Sequence, residues 1–243
     1  MGVLADLRIL YHLTLKPVRG QDHASRMEGF YAGQADVYDD FRKRLLQGRQ
    51  ELWDAIDVPD GAIWVDMGGG TGSNLEFLGS RIERLRKAYV VDLSPSLLDV
   101  ASRRCRDRGW SNVESVEADA TLFRPADGLV DVVTFSYSLT MIPDWFAALE
   151  NAIRILKPGG IIGVVDFYVS RKHPTDGLRR HPWFTRTFWP IWFAGDNVFP
   201  SADHVPFLHH QFDPLHFEER TAKVPYLPLV RTPYYSFVGR RRA

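Results

Sequence analysis

The sequence predicts a doubly wound α/β fold whose mostly parallel sheet has seven strands. Two observations predict it: short apolar runs alternate with segments of helical periodicity, and a cluster of glycines directly follows the first apolar run. In such a sheet the ligand lies outside the carboxyl ends of the strands. The residues that end each strand are therefore the candidates for a functional site.

Apolar runs and helical spacing divide the middle of the chain into alternating elements. Leucine and isoleucine side chains recur at helical spacing behind the first strand, and Ser94 is typical of a helix N-cap. The predicted elements, in chain order, are a strand at 63–67, a helix at 73–86, a strand at 87–94, a helix at 95–108, strands at 113–121 and 129–139, a helix at 144–156 and a strand at 161–169. This alternation indicates parallel strands with helices on both faces.

Four regions follow from this order. Residues 1–58 are expected to form an N-terminal helical cap, and residues 59–170 form the core that contains the glycine cluster. Residues 171–215 are an aromatic and His-rich insertion after the fifth strand; a loop of this length is usually functional. Residues 216–243 are expected to supply a terminal strand pair that completes the sheet.

The glycine cluster lies in the segment WVDMGGGTGSN and is compatible with several kinds of nucleotide-binding turn. A P-loop requires a lysine after the glycines, and none follows. The dinucleotide fingerprint G-x-G-x-x-G is incomplete, because a serine stands in place of its last glycine. The pattern that remains is Asp66 followed by Gly68, Gly70 and Gly72. A turn that serves packing alone stays open as the alternative.

Polar side chains end the next three strands. Asp92 lies about twenty residues past the glycines, where an acidic side chain can accept hydrogen bonds from both hydroxyls of a ribose. Asp119 ends the third strand and can accept a hydrogen bond from an exocyclic amine such as that of adenine. Ser136, Tyr137 and Ser138 end the fourth strand, over the middle of the site. Together these side chains predict an adenosine pocket.

From Ala62 to Val169 the chain resembles the class I S-adenosylmethionine-dependent methyltransferases, in the segments VDMGGGTG, VVDLS, ADAT, DVVTFSYSLTMI and LKPGGIIGVVDF. The resemblance implies a Rossmann-like core, S-adenosylmethionine as the cofactor and methyl transfer as the reaction. Along the cofactor it implies contacts to the methionine part, the ribose and the adenine from Gly68, Gly70, Gly72, Asp92, Asp119 and Ala120. The expected cofactor site is completed by Asp66, Leu93 and Ser136.

Two residues upstream of the core are also expected to contact the cofactor. Tyr38 and Arg42 are four residues apart and therefore share one face of a predicted helix. Arg42 can pair with the cofactor carboxylate, and Tyr38 can lie near the sulfonium. The alternative, that Tyr38 packs in the core and Arg42 is solvated, stays open.

The insertion is rich in aromatic and histidine side chains. The spacing of its histidines fits no zinc site, so we predict no metal centre. Its aromatic side chains can form a satellite core, line an apolar channel or rest on lipid. The N-terminal segment 3–20 has the spacing of an amphipathic helix, which can dock either on the domain or on a membrane surface.

A second resemblance extends over nearly the whole chain. The segments FYAGQADVYDDFRKRLLQGR, WFAGDNVFPSADHVPFL and VPYLPLVRTPYYSFVGR are similar to the betaine-lipid synthase methyltransferases. That family N-methylates diacylglyceryl-homoserine to diacylglyceryl-N,N,N-trimethylhomoserine. The resemblance implies an amine-lipid acceptor, a cytoplasmic protein placed peripherally on the inner face of the membrane, and a partner enzyme that supplies diacylglyceryl-homoserine.

N-methylation requires a deprotonated amine in line with the methyl group, and positioning supplies most of the acceleration. The proton is expected to leave through Tyr137, a histidine such as His204, or water. The cationic product favours aromatic partners, for which the candidates are Tyr31, Tyr137, Trp189 and Trp192. The homoserine carboxylate favours an arginine, for which the candidates are Arg42, Arg49 and Arg171.

Composition restricts the partners. Lys plus Arg and Asp plus Glu are balanced at 30 each, and this net charge of +0 disfavours nucleic acid. The single cysteine excludes an internal disulfide, and no apolar run reaches the roughly 18 residues of a membrane span. The open rivals are methylation of phosphatidylethanolamine or of a quinone precursor, and cofactor binding without catalysis.

Overall fold

The computed structural model describes residues 45–195, 197–224 and 227–242. Its strands are β1 Ile63–Met67, β2 Lys87–Asp92, β3 Val113–Glu117, β4 Val130–Ser136, β5 Leu156–Phe167, β6 Phe212–Val224 and β7 Leu227–Arg241. They form one sheet in the order β3-β2-β1-β4-β5-β7-β6. The pairs among β1 to β5 are parallel, whereas β7 is antiparallel to both β5 and β6. The predicted seven-stranded, mostly parallel sheet is confirmed.

Helices cover both faces of this sheet. In the part of the chain that the structure describes, the α-helices are α1 Arg49–Ala55, α2 Pro95–Arg108, α3 Trp145–Ile155, α4 Trp183–Ala194 and α5 His204–Gln211. Two 3₁₀ segments, Ser73–Arg84 and Leu139–Met141, follow β1 and β4. The start of α2 shows how local sequence fixes an element, because the Ser94 hydroxyl accepts a hydrogen bond from the Leu97 N–H at 3.4 Å and a proline follows it.

Alternation along the strands separates two apolar cores. In β1 every side chain is buried; Trp64 faces one core, and Val65 faces the other. Trp64 stacks on Trp53 of α1, with ring centroids 6.0 Å apart. The same core takes up α2 and α4, while α3 and α5 cover the opposite face. The sheet is therefore covered on both sides, and its carboxyl edge is left for ligands.

The structure differs from the predicted elements at several boundaries. Strands β2, β3 and β4 end at Asp92, Glu117 and Ser136, before the predicted 94, 121 and 139, and β5 begins at Leu156 instead of 161. The helix expected over 73–86 is a 3₁₀ segment that ends at Arg84, and it is interrupted at Gly79, which has φ 54° and ψ −134°. The strand β6 begins at Phe212, so it starts inside the insertion predicted to extend to residue 215. The remainder of that insertion contains α4 and α5.

The N-terminal cap is described only from residue 45 onward, where α1 packs on the sheet. The residues Tyr31, Tyr38 and Arg42, which we expected to contact cofactor or substrate, lie outside the described residues. Among the described helices, none has the length and apolar character that crossing a bilayer would require.

Candidate functional site

A cavity of about 360 Å³ opens at the carboxyl edge of the sheet, beside the ends of β1, β2 and β4. Eight residues predicted from the sequence line it: Gly68, Gly70, Asp92, Leu93, Asp119, Ala120, Tyr137 and Ser138. The parallel strands all end at this edge of the sheet. The turns that follow β1, β2, β3 and β4 therefore bring these residues together, although they are far apart in sequence. The structure thus places most of the expected cofactor residues in one site.

The glycine turn lets backbone approach the cavity closely. Gly68 and Gly70 have φ values of 66° and 56°, which disfavour any residue with a Cβ. A Cβ on Gly68 would lie 2.5 Å from the Cβ of Ser138. The N–H of Gly68 donates to the carbonyl of Val91 at 2.8 Å, which ties the turn to the end of β2. This tight turn leaves room for a ligand where side chains would otherwise stand.

Asp92 is fixed at the end of β2 by two backbone donors. Its Oδ2 accepts a hydrogen bond from the Gly70 N–H at 2.9 Å, and its Oδ1 accepts one from the Ser94 N–H at 2.9 Å. An ionised carboxylate accepts hydrogen bonds at both of its oxygens. The position of Asp92 in the cavity lining, at the end of β2, fits the two hydroxyls of a ribose.

Asp119 is held in a similar way at the turn after β3. Its Oδ1 accepts hydrogen bonds from the N–H and the hydroxyl of Thr121 at 2.8 and 2.7 Å. Asp144 also lines the cavity, and its Oδ1 caps α3 by accepting from the Ala147 N–H at 3.1 Å. The ionisable carboxyl groups of the described wall are Asp92, Asp119 and Asp144, and no Lys, Arg or His is among its lining residues. The wall therefore favours a cationic ligand.

Tyr137 directly follows β4 and has a left-handed backbone, at φ 54°. Its hydroxyl donates to the carbonyl of Gln47 at 2.6 Å, and burial raises the pKa of this phenol well above its ordinary value. Its ring lies 4.6 Å from Phe167, which stacks on Phe193 of α4 at 4.8 Å. The phenol stays protonated at neutral pH, and a continuous aromatic series links the cavity to α4.

Three predicted cofactor residues lie behind the cavity wall. Asp66 is fully buried and accepts hydrogen bonds from the Asn74 side chain at 2.9 Å and from the Thr134 hydroxyl at 2.8 Å. Gly72 packs against α2, because a Cβ there would lie 3.3 Å from the Cβ of Ala101. Ser136 is buried one residue before Tyr137 and is not among the lining residues. None of these three residues lines the cavity.

The candidates for proton transfer and carboxylate binding are dispersed. His204 is fully buried against Trp145, with ring centroids 4.7 Å apart, and burial lowers its pKa to about 3. Arg49 is also buried and donates to the Asn74 side-chain oxygen at 3.3 Å. Arg171 pairs at the surface with Asp203 at 2.6 Å. The cavity lining contains none of these three side chains.

The aromatic candidates of the insertion lie on α4. Trp189 is buried and stacks on Phe193 at 5.3 Å, while Trp192 is partly exposed. Neither lines the cavity. Trp189 belongs to the buried core that also contains Tyr137, Phe167 and Phe193, and Trp192 lies at the surface of α4.

Eight lining residues were not predicted as site residues from the sequence: Val91, Leu97, Ala118, Thr121, Met141, Ile142, Pro143 and Asp144. Half of them, residues 141–144, belong to or directly follow the 3₁₀ segment after β4. The buried carboxyl of Asp166 anchors this turn, since it accepts a hydrogen bond from the Thr140 hydroxyl at 2.7 Å and burial raises its pKa to about 7. The sequence feature that could have identified residues 141–144 is the segment TMIPD, because it directly follows the polar residues at the end of the fourth strand.

No group of three or more His, Cys, Asp or Glu side chains suited to a metal ion occurs among the described residues. The geometry of the glycine turn, Asp92 and Asp119 instead fits an adenosine-containing ligand. The cavity thus agrees with the cofactor that the sequence resemblance implied.

Solved structures share this fold. A phosphoethanolamine N-methyltransferase from Haemonchus contortus, solved with S-adenosylhomocysteine, superposes with a TM-score of 0.67 at 14% identity, over 92% of this chain and 60% of that one. A S-adenosylmethionine-dependent methyltransferase from Aquifex aeolicus gives a TM-score of 0.57 at 16% identity, over 86% and 97%. These similarities show the Rossmann-like class I methyltransferase fold.

Curated relatives are methyltransferases of quinone biosynthesis. The ubiquinone/menaquinone biosynthesis C-methyltransferase UbiE of Vibrio cholerae is 27% identical over 240 residues, which cover 94% of this chain and 89% of the relative. UbiE of Shewanella sp. strain ANA-3 is 26% identical over 218 residues, covering 87% and 85%. The model of the ubiE/COQ5 methyltransferase family matches residues 31–208. The chain therefore belongs to the ubiE/COQ5 methyltransferase family, and it is a methyltransferase whose cofactor is S-adenosylmethionine.

Proposed function

We propose that this chain methylates an acceptor that is carried on a lipid. The observation that supports this proposal is the apolar part of the cavity lining, which is formed by Leu97, Met141, Ile142 and Pro143. A water-soluble acceptor gains little from such a lining, whereas an acyl or prenyl chain gains from every apolar contact.

The cavity residues divide between cofactor and acceptor. Asp92 would hold the ribose, Asp119 would lie at the adenine, and the Gly68 backbone would face the methionine part. When bound, S-adenosylmethionine supplies an electrophilic methyl group on a sulfonium. The acidic wall stabilises that positive charge, and the apolar residues Met141 and Ile142 restrict water at the acceptor side.

Tyr137 is a positioning residue in this proposal rather than a base. Its raised pKa and its hydrogen bond to Gln47 keep the phenol protonated, so it does not accept the proton of the acceptor. Its ring, held in place by the hydrogen bond of its hydroxyl to Gln47, instead orients the acceptor beside the end of β4. His204 is also unsuited to proton transfer, because it is fully buried outside the cavity lining.

The acceptor that we favour is the amine of diacylglyceryl-homoserine, with diacylglyceryl-N,N,N-trimethylhomoserine as the product. Two features support it. The wall is acidic, which favours the trimethylammonium product, a fixed cation, whereas the amine loses its proton to water before each transfer. The segment 192–208, which is similar to the betaine-lipid enzymes, ends α4 and forms α5, and its Phe199 N–H donates to the Thr140 carbonyl beside the cavity at 2.7 Å. This proposal also requires a partner enzyme that makes diacylglyceryl-homoserine.

The second candidate acceptor is the ring carbon of a quinone precursor. The reported UbiE relatives act in ubiquinone and menaquinone biosynthesis by their names, and they match this chain over most of its length. A prenylated ring is flat and apolar, so the same apolar lining of the cavity suits it. The two candidates differ in whether nitrogen or carbon receives the methyl group.

One experiment separates these candidates. The purified full chain is incubated with isotope-labelled S-adenosylmethionine and mixed micelles that contain either diacylglyceryl-homoserine or a prenylated quinol precursor, and products are resolved by mass spectrometry. Mono-, di- and trimethylated homoserine lipid would support the amine proposal. Label on the quinol ring alone would support the second candidate. Transfer to neither, from a preparation that binds the cofactor, would overturn both.

A further inference from the structure

The side of α4 that faces away from the sheet is exposed and mostly apolar. Trp183 and Ile191 are 72% and 71% exposed, and Phe184 is 64% exposed. Phe184 stacks on Phe188 with ring centroids 5.2 Å apart, and Phe188 lies 5.4 Å from Trp192. Aromatic side chains grouped on one exposed helix face are typical of a surface that meets another apolar phase.

The inward side of the same helix is anchored to the domain. Trp189 and Phe193 are buried, and Phe193 stacks on Phe167 of β5. These contacts hold α4 in one orientation, so its outward face is presented as a rigid surface. The exposed aromatics are therefore available for binding without any rearrangement of the core.

The chain around α4 is locally cationic. Residues 171–195 contain five Lys or Arg side chains and one acidic residue, Asp176, although the chain as a whole has a net charge of +0. Lys172, Arg179 and Arg180 are exposed in the segment that leads into the helix. Aromatic side chains beside cations are the combination that anionic phospholipid headgroups attract.

We propose that α4 together with residues 171–180, here called the α4 surface, docks on an anionic phospholipid bilayer. The exposed Trp and Phe side chains enter the boundary between headgroups and acyl chains, and the cations face the negative headgroups. A nucleic acid matches the charge but not the apolar face, and an uncharged apolar partner leaves the cations unused. This docking does not depend on which acceptor is methylated.

Vesicle flotation of the full chain tests this surface. The lipids are phosphatidylcholine alone and phosphatidylcholine mixed with phosphatidylglycerol, with no cofactor or acceptor present. We expect binding to the mixed vesicles only. Joint replacement Trp183→Glu and Phe184→Glu is expected to weaken it by about tenfold or more. The matched control is Leu122→Glu, since Leu122 is 73% exposed after β3, and it should bind like the wild type.

The cationic part has its own variants. Arg179→Gln with Arg180→Gln should weaken binding about fivefold per cation, or roughly 25-fold together, and high salt should have a similar effect. The control is Arg106→Gln, exposed on α2. Equal flotation of the α4 variants and the wild type, or equal binding to uncharged vesicles, would overturn the proposal. The proposal would also be overturned if the wild type did not float and formed a dimer that Trp183→Glu converts to a monomer. That result would assign the α4 surface to contact with a second copy of this chain.

Discussion

Replacing Gly68 with alanine tests whether close backbone approach shapes the cofactor site. The residue has φ 66°, so an alanine there adopts a left-handed backbone at a cost of about 1–2 kcal/mol. Its Cβ would also lie 2.5 Å from the Cβ of Ser138, whose hydroxyl donates to the Met67 carbonyl at 2.8 Å. Moving that side chain adds about 1–3 kcal/mol of overpacking. The expected loss in free energy of unfolding is therefore about 2–5 kcal/mol.

Gly61→Ala is the matched control for the Gly68 variant. Gly61 has φ 76°, and nothing lies within 4 Å of an added Cβ, so the control carries the backbone cost without the clash. Urea unfolding should show a loss of about 1–2 kcal/mol for Gly61→Ala. Calorimetry should show that Gly68→Ala weakens S-adenosylmethionine binding by about tenfold or more, the equivalent of one charge-assisted hydrogen bond, while the control binds normally. Equal stability and equal affinity of the two variants would refute the reasoning.

Three further predictions concern buried ionisable groups. Tyr137→Phe removes the hydroxyl that donates to the Gln47 carbonyl, and it should lower the free energy of unfolding by about 0.5–1.5 kcal/mol. Steady-state kinetics should show a reduced kcat, and calorimetry should show an unchanged Kd for the cofactor. Asp166 has its pKa raised to about 7, so stability should fall as pH rises from about 4 to 7; urea unfolding should show that Asp166→Asn removes much of this dependence. His204→Phe should leave methyl transfer intact, because His204 lies outside the cavity lining. The variant removes two buried nitrogens that have no hydrogen-bond partner. Burial lowers the pKa of His204 to about 3, so the free energy of unfolding of the wild type should fall as pH drops below about 6.5, and that of the variant should fall less.

The sheet was predictable because its signals are local. The apolar runs of β1, β2, β4 and β5 are bounded by glycines and by polar strand ends. The observed boundaries lie within three residues of the predicted ones, except that β5 begins at Leu156 instead of 161. Asp92 and Asp119 were found for the same reason, since a parallel strand of a doubly wound sheet delivers its last side chain to the site. The 3₁₀ geometry of 73–84 was not predictable, because its leucines have helical spacing and only Gly79 breaks it.

The rest of the site depends on contacts between distant residues. Asp66 is buried, and its carboxylate accepts a hydrogen bond from Thr134, which lies 68 residues later in the chain. Local sequence patterns cannot predict a contact between residues so far apart. His204 resembles a catalytic histidine in sequence, but packing against Trp145 and Tyr235 buries it away from the cavity. Met141 and Ile142 become lining residues because Asp166 holds the preceding turn. Tertiary packing decides these roles.

The most direct test of the central claim is the affinity of S-adenosylmethionine for the full chain and for Asp92→Asn. The control is Asp107→Asn, an exposed carboxylate on α2. If Asp92 holds the ribose at the end of β2, calorimetry should show stoichiometric binding to the wild type and to Asp107→Asn, and affinity lowered by about tenfold or more in Asp92→Asn. Wild-type affinity in Asp92→Asn would contradict the site described here.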